Sequence, residues 1–297
     1  MRILNASGCL DALTAPEVAR SLDVFVTKTV TPLPREGNAP PRIAEVEHGM
    51  LNSIGLANPG IDGFLAHALP HLGELGVPVW VSVGGFAVSD YADLCDCLDD
   101  RPEVAAIELN VSCPNVDEVP SSVGEIVGAA RAATRKLLYT KLSPATADIA
   151  EVARAAQGAG TDGLSLVNTI LGLALDERTL RPQLSRSVGG LSGPALKPIA
   201  LAAVYSCYAA TSLPIVGMGG IVSGRDALEF IAAGAADIAV GTTLFSEPAA
   251  ASRIRAELAS EIAELAVDGV DNVVGLSHGE PTALSKAEER VAAMSAQ

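Results

Sequence analysis

Eight short apolar runs rich in β-branched residues recur along this chain, each ending in polar or glycine-rich residues and each followed by an alanine-rich stretch with helical spacing. The runs begin near Ile3, Asp23, Val79, Ala105, Leu137, Gly163, Leu213 and Asp237. Helical spacing fills residues 16–21, 60–75, 89–98, 123–134, 149–159, 194–210, 223–233 and 249–265. Neighbouring parallel strands need a crossover of a dozen or more residues, which a helix supplies. Eight strand–helix repeats therefore predict a parallel (β/α)₈ TIM barrel, an α/β fold whose sites sit at the C-terminal ends of the strands. At 297 residues the whole chain, 1–297, is expected to form one domain.

Two connections exceed ordinary length. Residues 31–57 are proline-rich, residues 171–192 are glycine-rich and mixed in charge, and both follow C-terminal strand ends. They read as long active-site loops, the second as a lid over the site. The tail after Gly279 reads as a short exposed helix.

Bulk properties exclude several classes. The net charge is −15 and the basic residues are scattered, which argues against a nucleic-acid or anionic-membrane surface. No stretch offers the roughly 18 uninterrupted apolar residues of a membrane helix. Five cysteines, an odd number without metal-ligand spacing, suit a reducing compartment, so a cytoplasmic location is expected and no metal site. Met1 to Cys9 faintly resembles a lipoprotein cleavage site but lacks an apolar segment before the cysteine, and reads as strand plus loop. Cys95 and Cys97 lie two apart in a helical stretch, where side chains diverge. The four histidines have no partner at metal-ligand spacing and are expected at the surface.

Chemistry is concentrated at the strand ends. The fourth run closes in Glu108-Leu109-Asn110-Val111-Ser112-Cys113-Pro114-Asn115, a thiol bracketed by two carboxamides. A thiol there is a candidate proton acceptor, and carboxamides suit an uncharged ring with imide or amide edges. Lys28 follows the second run and Lys141 the fifth; a lysine at a barrel mouth is costly unless it meets an anion. Together with Cys113 they suggest a site for a carboxylate and an electron-rich ring. Asn52, Asn110, Asn115 and Asn168, the last followed by Thr169, fall at one barrel face and read as a substrate cradle. Gly217-Met218-Gly219-Gly220 and Gly241-Thr242-Thr243 end the seventh and eighth runs, where barrels bind phosphate through bare backbone N–H groups. The G-x-G-x-x-G spacing fails at Val222, so a phosphorylated mononucleotide fits better than a dinucleotide.

In these residues the chain resembles the class 1 dihydroorotate dehydrogenases, most closely the class 1B catalytic subunits. The matching pieces run in family order over about residues 3–250. They include Ala6-Ser7-Gly8-Cys9, Lys28-Thr29, Gly49-Met50-Leu51-Asn52-Ser53-Ile54-Gly55-Leu56, the Cys113 octapeptide, Lys141-Leu142-Ser143-Pro144 and Val167-Asn168-Thr169, then Gly189-Gly190-Leu191-Ser192-Gly193-Pro194 and the two glycine loops. The resemblance implies an FMN-containing barrel that oxidises dihydroorotate to orotate in pyrimidine biosynthesis. Cys113 would be the base at C5, and hydride would pass from C6 to the flavin. Lys28, Asn52, Gly55, Leu56, Asn110, Asn115, Asn168 and Thr169 would hold the substrate. Ala6, Ser7, Lys28, Asn110, Lys141, Val167, Gly193, Gly219, Gly220, Gly241 and Thr242 would hold FMN. It further implies a homodimer and a separate electron-transfer subunit carrying FAD and an iron–sulfur cluster.

Three features depart from the family pattern. The chain enters its first strand without a preceding hairpin, Ser82 stands where an asparagine is common, and the segment after Asn115 is shorter than usual. They keep two other readings open: a related flavin barrel acting on another dihydropyrimidine, and a flavin-binding subunit without turnover of its own.

Overall fold

The computed structural model describes residues 1–111, 123–265, 267 and 269–279. In chain order the elements are β1 (Ile3–Asn5), α1 (Pro16–Arg20), β2 (Phe25–Val26), β3 (Ile43–Val46), β4 (Gly49–Asn52), α2 (Gly60–Gly63), α3 (Leu69–Gly73) and β5 (Val79–Val83). They continue as α4 (Val88–Asp99), β6 (Val104–Asn110), α5 (Val123–Ala133), β7 (Leu137–Leu142), α6 (Ile149–Gly158), β8 (Gly163–Leu166), β9 (Ile170–Leu173) and β10 (Val188–Ser192). The last are α7 (Lys197–Ala210), β11 (Ile215–Met218), α8 (Gly224–Ala232), β12 (Asp237–Val240), α9 (Thr243–Ser246) and α10 (Ala250–Glu264). A π-helical turn at Phe64–Ala68 joins α2 to α3.

The parallel strands run in the order β1-β12-β11-β8-β7-β6-β5-β2, and a bridge between Leu4 and Val24 closes the ring as a (β/α)₈ barrel. All eight expected strands and the helices between them are present within a few residues of their expected limits. The strands read as near-continuous apolar runs because both faces are covered. Outward residues such as Ile107, Leu109, Leu138 and Leu164 join the helices in the main core. Inward residues Leu4, Val24, Val26, Trp80, Ala106, Tyr139, Val216, Met218 and Ala239 form a separate plug. At its floor Arg2 Nε and Nη2 both donate to Asp237 Oδ2, at 3.1 and 2.6 Å, and the guanidinium lies 5.4 Å from the Trp80 ring; Trp80 and Tyr139 pack at 4.3 Å between centroids.

The two long connections are not simple loops. They fold against each other into an antiparallel sheet, β3-β4-β10-β9, with Asn52 opposite Gly190 and Gly172 opposite Gly189. Ala44, Leu51 and Leu184 give it a small core of its own. A loop reading misses this because the strands are short and carry glycine where the sheet layers close in: a Cβ on Gly172 would lie 2.9 Å from Leu51 Cδ2. The expected lid is thus an ordered strand pair, and the tail after Gly279 lies outside the described residues. Cys95 is buried and Cys97 exposed on α4, as their spacing requires. His278 departs from surface residence: it stacks on Tyr205 at 3.8 Å, sits 4.8 Å from Tyr208, and its Nε2 lies 3.0 Å from the Ala233 carbonyl oxygen.

Candidate active site

A cavity of about 280 Å³ opens at the C-terminal ends of the barrel strands, beneath the four-stranded sheet. Every described residue singled out from sequence lines it. Ala6, Ser7, Lys28, Asn110, Lys141, Val167, Gly219, Gly220, Gly241 and Thr242 come from the barrel rim, Asn168 and Thr169 from the end of β8, and Asn52, Gly55, Leu56 and Gly193 from the covering sheet and its flanks. Cys113 and Asn115 lie outside the described residues.

One wall is a polar chain. Asn110 Nδ2 donates to Thr29 Oγ1 at 3.1 Å, and Asn110 Oδ1 accepts from Asn168 Nδ2 at 3.2 Å. The Thr169 backbone N–H in turn donates to Asn168 Oδ1 at 2.8 Å. Thr29 Oγ1 also lies 3.1 Å from Ser82 Oγ and 3.4 Å from Ser7 Oγ. Each carboxamide is therefore held in one orientation before a ligand arrives, which lowers the cost of ordering on binding. Ser82, fully buried, does not line the cavity; it braces Thr29 from behind. Asn52 is fixed in the covering sheet, where its Nδ2 donates to the Gly190 carbonyl at 3.2 Å. Asn58 holds the turn after Leu56, donating to Leu56 O at 2.7 Å and accepting from Gly60 N–H at 2.8 Å.

Among the described residues, Lys28 and Lys141 are the lysines of the lining, and no arginine shares it. Lys28 lies against Gly8, where a Cβ would come within 3.0 Å of Lys28 Cδ; Gly8 also has φ +80°, so glycine is required twice over. Lys141, at the end of β7, is 5% exposed. Cys9 lines the same cavity. Burial pushes its thiol above the ordinary value, against the opposing pull of Lys141 and Lys28, so it remains protonated near neutral pH.

Part of the lining is bare backbone. Gly219 and Gly220 have φ +123° and +84°, and a Cβ on Gly220 would lie 2.9 Å from Gly193 O and 3.0 Å from Lys197 N. Neither the Gly220 nor the Thr242 N–H has a hydrogen-bond partner among the described residues. Thr242 Oγ1 donates to Ser192 Oγ at 2.8 Å, tying the rim to the covering sheet. Unspent backbone donors in a glycine-lined corner, with lysines elsewhere in the cavity, match a phosphate-bearing ligand with an electron-rich body.

Cys9, Thr29, Met50, Ser192 and Phe245 also line the cavity but were not assigned from sequence. Thr29 and Cys9 adjoin assigned residues, so adjacency was the available signal. Met50 and Ser192 are placed by the covering sheet, and Phe245 by α9, elements the periodicity did not reveal.

The fold and its lined mouth define a (β/α)₈ barrel with a polar and glycine-lined cavity at the C-terminal ends of its strands. The family model for dihydroorotate dehydrogenase matches residues 2–262, and the chain belongs to that flavin-dependent family. A relative from Trichlorobacter lovleyi is 44% identical over 265 residues, covering 87% of each chain, and one from Desulforudis audaxviator is 43% identical over 288 residues, covering 93% of each. Another, from Geobacillus kaustophilus, is 40% identical over 287 residues, 93% of this chain and 91% of its own. All three are named dihydroorotate dehydrogenase B (NAD(+)), catalytic subunit. Among solved structures, the dihydroorotate dehydrogenase of Eimeria tenella in complex with ferulenol superposes with a TM-score of 0.81 at 24% identity, over 94% of this chain and 85% of that one, a likeness of fold.

Proposed function

We propose that this chain, acting as one domain, is an FMN-containing catalytic subunit that oxidises (S)-dihydroorotate to orotate in pyrimidine biosynthesis. The observation that carries the reading is the convergence of all sixteen described candidate residues on one cavity, whose lining brings bare backbone donors together with Lys28 and the Asn52, Asn110 and Asn168 side chains.

FMN would be held by the Gly193, Gly219, Gly220, Gly241 and Thr242 backbone, by Ala6, Ser7 and Val167, and by Lys141 and Lys28. When bound, it supplies the acceptor for the hydride leaving C6. The remaining work belongs to the chain. Lys28 pairs with the substrate carboxylate, and Asn52, Asn110, Asn115, Asn168 and Thr169 meet the ring's amide edges with Gly55 and Leu56 contributing backbone. The prior hydrogen bonds of Asn52, Asn110 and Asn168 favour one ring orientation, in which the C5 proton is presented to a single base. Cys113 is that base by sequence position and chemistry: its thiolate takes the C5 proton, as a thiol of ordinary value about 8.5 can near neutral pH. The cover formed by β4 and β10 restricts water at the site.

The name "catalytic subunit" carried by the relatives implies a separate partner. By resemblance it carries FAD and an iron–sulfur cluster and passes electrons to NAD⁺, and the barrel itself pairs as a homodimer. Among the described residues no helix is long and apolar enough to cross a membrane. A cytoplasmic location is part of the proposal.

The test is anaerobic: chain reconstituted with FMN is mixed with dihydroorotate while flavin absorbance is followed, with Cys113→Ala alongside. Bleaching in the parent and its loss in the variant are expected. Bound flavin that stays oxidised in the parent would contradict the substrate assignment.

A further inference from the structure

Strand β6 carries an acid that the chemistry above does not use. Alternation turns Ala106, Glu108 and Asn110 into the barrel: Ala106 belongs to the floor plug and Asn110 lines the cavity, whereas Ile107 and Leu109 pack outward. Glu108 therefore occupies the layer between floor and mouth. It is 1% exposed, and its Oε1 has no hydrogen-bond partner. Ser165 on β8 reaches the interior by the same alternation, fully buried and with its Oγ also unpartnered.

Between these two strands runs β7. Its Lys141 pairs in register with Asn110 on one side and Ser165 on the other, and its Tyr139 pairs with Glu108. Lys141 thus stands one step diagonally from Glu108 on the same inner face, with Ser165 directly across. Leaving a buried carboxylate oxygen unpaired is costly, a cost that an apolar residue of similar size such as methionine would avoid. A buried cation on the adjacent strand gives the acid a physical reason to be there, since attraction between charges is strong where water is excluded.

We propose that Glu108 is a positioning residue for Lys141: its charge draws the ammonium group toward the barrel interior and so limits how far that cation acts in the cavity. The inference rests on the FMN reading above. Reduction places negative charge on a flavin, so a lysine free to advance would hold the reduced form more tightly than the oxidised one. A site that must take up and give up an electron pair in every turnover works best when the two forms are held comparably.

The test uses Glu108→Gln in the full chain reconstituted with FMN, reading the midpoint potential by dye equilibration and the dissociation constants of oxidised and reduced FMN. The two-electron equilibrium should move toward the reduced form by about tenfold or more, roughly 30 mV. In a Lys141→Gln background the same substitution should move it by no more than about threefold, because coupled residues are not additive. Where the amide variant does not fold, Glu108→Met carries the same expectation. An unchanged potential in a variant that folds and binds FMN overturns this inference alone, as do equal shifts in both lysine backgrounds. A parent chain that binds no FMN overturns the inference together with the function it rests on.

Discussion

Among the residues of the cavity, Lys28 is assigned the substrate's only formal charge. A charge-assisted bond is worth roughly 1.5–3 kcal/mol, so Lys28→Ala should raise the dissociation constant for orotate about 10- to 100-fold while leaving the fold intact. Equilibrium binding followed through the flavin spectrum measures it, and full affinity in the variant would point to a substrate without a carboxylate. The cysteines divide by environment. Burial pushes the Cys95 and Cys207 thiols up to about 12, so neither should react with iodoacetamide at neutral pH in the native chain, whereas exposed Cys97 should. Cys9 lines the cavity, and any slow labelling there should be suppressed by FMN. Peptide mapping after alkylation, with and without FMN, distinguishes these sites. At this scale the sequence was legible where a chemical type stood at a strand end, as with Lys28, Lys141 and Asn168. It was not legible for Thr29 and Ser82, whose roles arise from one hydroxyl bracing another across two strands.

Helices and sheets meet at positions that tolerate little change. Gly220 adopts φ +84° and faces the Gly193 carbonyl, so Gly220→Ala should cost on the order of 1–2 kcal/mol in stability and abolish measurable FMN uptake by narrowing the corner built of bare backbone. Denaturant unfolding and flavin fluorescence quenching read the two effects separately. Between α7 and α8, Asp226 pairs with Lys197 and accepts the Val222 N–H at 2.9 Å and the hydroxyl of Ser223, the N-cap of α8, at 2.9 Å. Burial pushes its carboxyl up, but these partners outweigh burial and leave it below the usual range. The folded-state value therefore lies below the unfolded one. The stabilisation is complete above about pH 4 and is lost as pH falls through the lower folded value. Asp226→Asn should lower stability at neutral pH and flatten the acid side of the stability curve, as measured by urea unfolding from pH 7 to 3. The elements themselves were readable because strand runs and helical spacing differ in period. The covering sheet was not, because β9 and β10 mix glycine with apolar residues, and the buried positions of β10 arise only from its pairing with β4 and β9.

Across the whole molecule, the barrel divides into an apolar floor, a buried middle layer and a polar mouth. Trp80 anchors the floor, so Trp80→Ala should cost about 3–5 kcal/mol of stability while changing FMN affinity far less, provided unfolding is two-state. Equal losses in both would mean that floor and mouth are not independent. Eight strand–helix repeats made this architecture legible, because parallel strands joined by helical crossovers in that number match a closed barrel. Placement of Glu108 and Ser165 beside Lys141 was not legible, since it depends on register between strands about 30 residues apart. The account as a whole is tested most directly by a crystal structure of this chain grown with FMN and orotate. It predicts the phosphate at Gly219, Gly220, Gly241 and Thr242, and the orotate carboxylate at Lys28 among Asn52, Asn110 and Asn168. Either ligand bound away from this cavity, or orotate with its carboxylate remote from Lys28, would contradict it.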